Sequence, residues 1–419
     1  MWADSERVDE RYGADTAKIF QSCIAANEPL PAAAFPVIIC DSPYDMAISA
    51  NVKKDDLRSE LVDIDIARAQ LNRRCQDLLS IVAPMESLYV DISLRCFRIE
   101  FLHRSVQDFL QQSEIVSRKL ERLTGPCFSA HRTLLACYVY LVKKTGKNFE
   151  DVPAWSTQAL LHLASIGDEY DTSAATLLQE LDKAMQSARG QGQMHWSNVS
   201  TEMFEGNPEF AEGGKRNLIG HLIEFNASHA VKAALNASPS PKCGRPWLDY
   251  ALRYNPYSLD RWHGGKRTLW QQFSGDPAMV ELLLNVGCDV NEPIHIYQGR
   301  TVWEMYVAFP YDQKIPDGRH LKTTWLLTNR GAKSINFFFV REQMRKSTGP
   351  WNMIPHRAEL SMKDVLARAF GEHEAENMCE RVAKNDIHRG PEVVVEGPKV
   401  NGRRSWLTTW MPGLDDGAP

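Results

Sequence analysis

Cys127 and His131 lie four residues apart, and a thiol beside an imidazole is the pair that forms a nucleophile and its general base. The sequence specifies no third residue that would orient the imidazole, so the spacing alone defines no catalytic geometry. The apolar run that follows is typical of a packed helix. We therefore favour ordinary helix packing over catalysis for this pair.

Nucleotide hydrolysis would need a phosphate-binding loop of the form G-x-x-x-x-G-K-[ST], in which backbone N–H groups wrap the phosphates and the final hydroxyl reaches Mg²⁺. The chain also contains no GxSxG, HExxH or complete GxGxxG pattern. We predict that it is not an enzyme and holds no cofactor or metal of its own. Three Gly-Lys steps each lack the first glycine and the hydroxyl: Gly146-Lys147, Gly214-Lys215 and Gly265-Lys266.

The composition is that of a globular protein, with 419 residues, 43% of them apolar, and a net charge of −5. This charge gives no general attraction to nucleic acid or anionic lipid. The longest apolar run, Leu134–Val142, is about half of the roughly 20 residues that a membrane-spanning helix needs. Nine scattered cysteines without a CxxC pair are typical of reduced intracellular thiols. We expect a cytoplasmic protein that binds other proteins, with no nucleic acid and no membrane.

The spacing of apolar residues predicts the secondary structure near the N-terminus. Steps of three and four predict helices over residues 15–83, and alternation over 88–94 and 97–101 predicts a bent hairpin. Ser105 and Asp108 then form an S-x-x-D pattern, which predicts a helix capped by the serine. Helix, hairpin and helix in this order predict a winged-helix-like unit.

A helical region and a linker follow. The linker is predicted at Ser187–Gly214, which is rich in Gly, Gln, Asn and Ser and poor in aliphatic residues. Three apolar segments predict the helices before it: His131–Val142, Ala154–Ile166 and Ala174–Met185.

The second half of the chain repeats two short patterns in alternation. Residues 244–252 recur in outline at 299–307, and residues 280–291 have a degraded echo at 325–332. The order resembles that of ankyrin repeats, in which a turn opens the first helix and a Leu-Leu run ending in Gly closes the second. The spacing between the two copies exceeds the length of an ordinary ankyrin repeat, which is about 33 residues. We therefore expect insertions at two places: His295–Tyr297 and Tyr311–His320.

Within this array, Gly287 is predicted to end a helix in the left-handed conformation, and Asp289 and Asn291 are predicted to form the turn after it. An amphipathic pattern from Met362 to Val382 predicts a final packed helix. The predicted fold class is mainly α, with a winged-helix-like N-terminal unit containing a short β-hairpin, a helical region and a degenerate ankyrin-like α-solenoid. The predicted boundaries are 1–125 for the winged-helix-like region, 126–186 for the helical region, 187–214 for the linker, 215–345 for the repeats, 346–385 for a C-terminal helical segment and 386–419 for a mostly disordered tail.

The most specific segment is Phe101–Leu110, with the sequence FLHRSVQDFL. It resembles the F-x-H-x-[ST]-x-x-[DE]-F-[LF] signature that closes the winged-helix domain of NACHT-type signalling NTPases. Upstream, LNRRCQDLL at Leu71–Leu79 resembles the L-N-[ST]-R-C-x-G-L-L segment that follows the NACHT core in fungal proteins of this class. The Gln76-Asp77 step departs from the family at its usual glycine. The NTPase domain itself is absent from this sequence.

This resemblance implies that His103 contacts an ADP phosphate when a NACHT core is present, because an imidazole N–H can donate to a phosphate oxygen. In the isolated chain, the alternative is that His103 bonds a backbone carbonyl at the strand-to-helix corner. The remaining motif residues are expected to be structural: Phe101, Phe109 and Leu110 in the core, Ser105 and Asp108 at the helix start, and Arg74, Cys75 and Leu78 in the upstream segment. Arg73 and Arg74 could bind a phosphate or an acidic partner, although paired arginines on an amphipathic helix are typical of a solvated face.

Four tryptophans in the second half are candidates for protein interaction, because Trp is enriched at interface hot spots. The alternative, which their positions within the repeat pattern favour, is that they replace Leu in the repeat cores. These residues are Trp247, Trp270, Trp303 and Trp325.

The leading hypothesis is a non-catalytic regulatory half of a fungal NACHT-type signalling protein, which senses a ligand or partner and keeps an NTPase inhibited. The NTPase would act in cis, encoded upstream of a truncated gene model, or in trans. ADP or ATP would be bound only through that missing domain. A stand-alone ankyrin-type scaffold is the alternative. A winged-helix DNA binder is less favoured, because the recognition helix predicted over Ser105–Glu121 mixes acidic and basic residues.

Overall fold

The computed structural model describes the following residues: 10–51, 57–83, 97–145, 152–189, 218–237, 246–252, 275–294, 300–304, 306–307, 318–335, 338–341 and 357–388. They belong to two compact units, and the fold is mainly helical, as predicted. Of the described residues, the first unit holds those from 10 to 189 and from 218 to 237, and the second holds those from 246 to 252 and from 275 to 388. The boundary predicted after residue 125 does not separate the units.

The first unit combines a three-stranded antiparallel sheet with helices. The strands are β1 (Leu30–Pro31), β2 (Leu79–Val82) and β3 (Arg98–Phe101), in the order β1-β3-β2. The helices are α1 (Glu10–Ala25), α2 (Phe35–Ile39), α3 (Pro43–Ser49), α4 (Leu57–Cys75), α5 (Arg104–Gln112), α6 (Glu114–Thr124), α7 (Ala130–Thr145), α8 (Val152–Ile166), α9 (Thr172–Arg189), α10 (Leu218–Glu224) and α11 (Ser228–Ala237).

The helix predicted through Val82 is wrong, because α4 ends at Cys75. Gln76 and Asp77 adopt left-handed φ angles of 47° and 61°, which turn the chain into β2. The residues buried in β2 are Leu79 and Ile81, so the strand period of two replaces the helical spacing. The alternation over 97–101 is confirmed by β3, which pairs with β2 and β1. The other half of the predicted hairpin, 88–94, lies outside the described residues.

The predicted helical region is confirmed by α7, α8 and α9. The middle of α7 is buried on all sides, from Thr133 to Val139, because α1, α2, α3, α8 and α9 all pack against this helix. A helix that is apolar all round is expected in such a central position. The predicted linker begins at the end of α9, and its residues from 190 onward lie outside the described part of the chain.

A buried lysine fastens α3 to α7 and α9. The Nζ atom of Lys143 donates to the carbonyl oxygens of Ala47 and Ile48, at 3.1 and 2.9 Å, and lies 2.6 Å from Glu180 Oε2. The two carbonyls belong to the last turn of α3, where a helix leaves C=O groups without intrahelical partners. Three acceptors therefore receive the three N–H donors of the ammonium group.

The second unit contains helices α12 (Trp247–Leu252), α13 (Pro277–Asn285), α14 (Gly318–Asn329), α15 (Met362–Phe370) and α16 (Glu372–His388). The single last helix predicted from Met362 to Val382 is divided into two at Gly371, whose φ of 91° suits glycine. Two strand pairs accompany the helices: β4 (Pro293–Ile294) with β5 (Arg300–Thr301), and β6 (Phe338–Arg341) with β7 (Arg357–Leu360). Residues 389–419 of the predicted tail lie outside the described residues.

The predicted turn after α13 is confirmed. Gly287 has a φ of 92°, and the backbone N–H of Cys288 donates to Leu283 O, as in a Schellman motif. The carboxylate of Asp289 then accepts from the backbone N–H of Asn291 at 2.9 Å. Helix α14 ends in the same way at Gly331, with a φ of 97°. The two repeated segments thus share one helix ending.

Asn291 links the two turns to each other. Its Nδ2 donates to Gly331 O at 2.8 Å, and its Oδ1 accepts from the backbone N–H of Lys333 at 3.1 Å. Between the turns, Thr301 and Glu304 form a capping box that opens a short helical stretch at 302–304. The expected insertions lie outside the described residues, apart from 318–320, which begin α14.

Candidate functional site

The motif Phe101–Leu110 spans the end of β3 and most of α5. Phe101 pairs with Leu79 in the sheet, and its ring stacks on that of Phe20 in α1 at 6.3 Å. The backbone N–H of Leu102 donates to Leu78 O at 3.1 Å, which extends the contact between β2 and β3 by one residue. The first residue of the motif is thus fixed by contacts with β2 and α1, and the chain leaves the sheet directly after it.

His103 is the N-cap residue of α5 and has an extended backbone, while its carbonyl accepts from the N–H of Val106. Its side chain is exposed, and within the described residues it makes no hydrogen bond. The alternative, a bond from the imidazole to a backbone carbonyl, is therefore not observed there. The predicted cap at Ser105 is wrong, because the N-cap residue is His103, two residues earlier, and Ser105 lies inside the first turn of α5. Asp108 instead lies 3.9 Å from Arg104.

Three large apolar side chains in and directly after the motif are exposed. Leu102 is 51% exposed, Phe109 58% and Ile115 82%. The prediction that Phe109 lies in the core is wrong, whereas Leu110 is buried as predicted. The physical reason is the interruption of the helix at Ser113, where α5 ends and α6 begins. The two short helices bury Leu110 and Leu120 instead of Phe109. We call the exposed residues Leu102, His103, Phe109 and Ile115 the motif surface.

The same break divides the recognition helix that was predicted over Ser105–Glu121. Its Arg118 side chain donates to Glu114, one turn earlier on α6. A neutralised arginine on a short helix offers little attraction to phosphates.

The upstream motif at Leu71–Leu79 stabilises the junction of α1 and α4. Arg74 Nη2 lies 3.3 Å from Asp15 Oδ2, both side chains are largely buried, and Thr16 Oγ1 donates to the carbonyl of Arg74. Arg74 thus has an acidic partner inside the protein, while Arg73 is exposed. Cys75 is buried, and burial raises the pKa of its thiol to about 12. Leu78 is half-buried.

The four tryptophans differ in position. Trp303 is 1% exposed, and its Nε1 donates to Lys333 O at 3.0 Å, so it follows the core alternative rather than forming a binding surface. Trp325 is half-buried and donates to Glu374 Oε2 at 3.1 Å. Trp247 is half-buried, and Trp270 lies outside the described residues.

The possible thiol–imidazole pair is not supported by the contacts of His131. Cys127 is exposed, whereas His131 Nδ1 lies 3.2 Å from Nδ1 of His162, a buried residue of α8. Sequence reasoning missed His162, because a histidine inside an apolar helix gives no pattern of its own. In the described part of the chain, no three His, Cys, Asp or Glu residues are grouped as metal ligands. The described helices include none long and apolar enough to cross a bilayer.

The N-terminal part of the chain is similar to a family described as a domain of unknown function, DUF7791, which matches residues 7–151. The matched residues include both motifs and all described elements from α1 to α7, whereas His162 and the second unit lie outside them. Neither a curated protein nor a solved structure matches the chain. Over about a third of its length, the chain is thus similar to a family without a defined function.

Proposed function

We propose that this chain is the non-catalytic regulatory half of a fungal NACHT-type signalling protein, which inhibits an NTPase and senses a ligand or partner in the cytoplasm. The observation that carries the proposal is the motif surface. Leu102, His103 and Phe109 belong to the segment whose sequence resembles the NACHT-associated winged helix, and Ile115 follows that segment. All four side chains are exposed rather than buried in the core.

Burial of a large apolar side chain contributes about 1.5–3 kcal/mol, so three such side chains exposed within 14 residues forgo several kcal/mol in the isolated chain. Aromatic residues are enriched in the cores of protein interfaces, so the exposed ring of Phe109 is suited to such a contact. The exposed imidazole of His103 adds one polar group that could donate to a phosphate oxygen at the edge of such an interface.

The partner in this proposal is a NACHT-type NTPase core, in cis or in trans. The apolar residues would pack on its protein surface, and His103 would reach the phosphates of its bound ADP. The chain itself would supply no catalytic residue and would hold no nucleotide alone. Neither nucleic acid nor membrane is part of the proposed function.

The test is affinity capture with the full chain from cells that express it natively, followed by identification of proteins that contain G-x-x-x-x-G-K-[ST]. We expect capture of such an NTPase in the presence of ADP, and an affinity at least tenfold weaker for Phe109→Ser. The matched control is Ile387→Ser, because Ile387 is also exposed, at 77%, but lies in the second unit. Equal capture by Phe109→Ser and the unchanged chain would refute the proposed surface.

The cis arrangement has a separate test at the native locus. Mapping the complete 5′ end of the transcript asks whether an in-frame phosphate-binding loop is encoded upstream. If so, the His103→Ala variant of that longer chain should bind ADP more weakly. An unchanged ADP affinity would remove the role proposed for His103.

A stand-alone ankyrin-type scaffold is a second candidate, supported by the repeated helix endings at Gly287 and Gly331 and their link through Asn291. This candidate places the partner on the second unit. Val286, which is 47% exposed beside the first turn, offers the matching test. Val286→Lys should then weaken partner binding, whereas Phe109→Ser should leave it unchanged.

A further inference from the structure

Two histidines meet at one end of the α7–α8 hairpin. His131, in the first turn of α7, and His162, near the end of α8, place their Nδ1 atoms 3.2 Å apart. His162 is fully buried, and its ring stacks on Tyr138 with a centroid distance of 5.7 Å. The contact therefore joins the two helices inside the first unit.

A hydrogen bond between two Nδ1 atoms limits the protons that the pair can hold. One ring must donate and the other must accept, so the pair accommodates a proton on His131 but not a second one on His162. Two imidazolium rings would direct N–H groups and positive charges at each other across 3.2 Å. The contact is thus compatible with one added proton at most.

The surroundings of His162 offer no compensation for a positive charge. Its Nε2 is buried and has no hydrogen-bond partner in the described residues, and the same holds for Oε1 of Gln158, one turn earlier on α8. An imidazolium at this position would be a buried charge with an unpaired donor, which is strongly unfavourable.

The charged groups near the pair lie mainly around His131. Glu169, in the short 3₁₀ turn after α8, favours a proton on His131 because its negative charge raises the pKa of that ring. Its Oε2 atom also lies 3.9 Å from Nε of Arg132. Arg132 pairs with Asp171 at 3.1 Å, before α9. Nε2 of His229, a residue of α11, lies 3.3 Å from Oδ1 of Asp168. On the side of Tyr138, four charged or titratable groups influence the pKa of the tyrosine hydroxyl: Cys23, Glu28, Arg98 and Cys137. None of these supplies a hydrogen-bonded carboxylate to His162 in the described structure.

We propose that the His131–His162 pair is an acid-sensitive latch, which holds α8 on α7 at neutral pH and releases it when both rings become protonated. Below neutral pH, the first unit would then open at this hairpin before its sheet is lost. The latch is independent of the function proposed for the motif surface.

The pKa values agree with this geometry. Burial lowers the pKa of His162 to about 3, helped by the nearby His131, and burial also lowers the pKa of His131. In the unfolded chain both rings have pKa values near 6.5. The opened hairpin therefore binds more protons than the closed one between about pH 6.5 and pH 3. The stability of the closed hairpin is complete above this window and is lost as the pH falls through it.

The experiment is hydrogen exchange of the full chain, followed by mass spectrometry of peptides from α7 and α8 at pH 7.5 and pH 5.0, corrected for intrinsic exchange rates. The opening constant of the hairpin should rise about 30-fold at pH 5.0 through His162 alone. In His162→Phe, which keeps an aromatic ring without a titrating nitrogen, the rise should be less than about threefold. The control His103→Gln removes an exposed histidine and should respond like the unchanged chain.

If His162→Phe does not fold, His162→Gln and the histidine ring resonances of the unchanged chain give the same answer. We expect His162 to stay neutral at pH 5.0 in the closed hairpin. Equal acid sensitivity in the unchanged chain and the folded variant would overturn the proposal. So would a His162 ring that titrates near pH 6.5 while α7 and α8 stay protected.

Discussion

Lys143 and His162 are both buried basic side chains of the α7–α8 hairpin, but they differ in the number of hydrogen-bond acceptors around them. The ammonium of Lys143 meets two helix carbonyls and the carboxylate of Glu180, and the hydrogen bond from Lys143 is the main reason that the pKa of Glu180 is lowered. His162 meets one neutral imidazole, and its outer nitrogen has no acceptor in the described residues.

The difference teaches that burial alone does not decide what a basic residue does. Where acceptors equal donors in number, a buried cation joins elements, as Lys143 joins α3, α7 and α9. Where they are missing, the residue remains neutral and its protonation opposes folding. The same criterion applies to the other poorly matched positions of the first unit, and substitutions can test each of them.

Lys143→Met should have the largest effect, a loss of about 3 kcal/mol in the free energy of unfolding, because it leaves two helix-end carbonyls without a donor and leaves Glu180 with the exposed Lys183 alone. Urea denaturation of the full chain, with hydrogen exchange to assign the transition to the first unit, measures this loss. The matched control is Lys183→Met, since Lys183 is exposed and also contacts Glu180, at 3.0 Å. We expect a change below about 1 kcal/mol for the control. Equal losses would show that Glu180, rather than the full set of acceptors, determines the stability.

Gln158→Met should stabilise the first unit by about 1 kcal/mol, because it removes a buried oxygen that has no donor in the described residues and keeps the side-chain length. The same denaturation experiment applies. Gln111→Met, on the exposed side of α5, is the control and should leave the stability unchanged. A loss of stability in Gln158→Met would mean that an ordered water pairs with this oxygen.

Asp77→Gly should give the smallest effect, a gain of about 0.5–1 kcal/mol, because Asp77 has a φ of 61° and glycine adopts this angle without strain. Asp77→Ala removes the same carboxylate but keeps the Cβ, so it should give no gain. Thermal unfolding of both variants compares them directly. If alanine and glycine stabilise equally, the carboxylate and not the backbone is the source of strain.

Much of the helical architecture could be predicted, because period and length suffice for long amphipathic or apolar segments such as α7, α8 and α9. The turn at Gly287 was predictable for a local reason, namely that glycine tolerates a left-handed φ at a helix end. The strand β2 was missed because the turn before it uses Gln76 and Asp77, which carry no glycine to mark it. Its apolar residues also continue the helical spacing of α4 by coincidence.

The candidate site was only partly predictable. The motif at Phe101–Leu110 marked the segment, but its sequence cannot show that α5 ends at Ser113 and leaves Phe109 in solvent. Burial at this position depends on how α5 and α6 pack on α1, which is not a local property. His162 was unpredictable for a similar reason, since its partner lies 31 residues away on the facing helix.

The side chain of Asn291 acts toward residues 331–333 as a peptide group would, with one donor and one acceptor at the correct separation. Aspartate lacks the donor, glutamine is one methylene too long, and serine cannot reach both groups. Variation among related chains should therefore be coupled: wherever the turn at Gly331 is retained, asparagine should persist at this position, and where that turn is lost, the asparagine should be free to change.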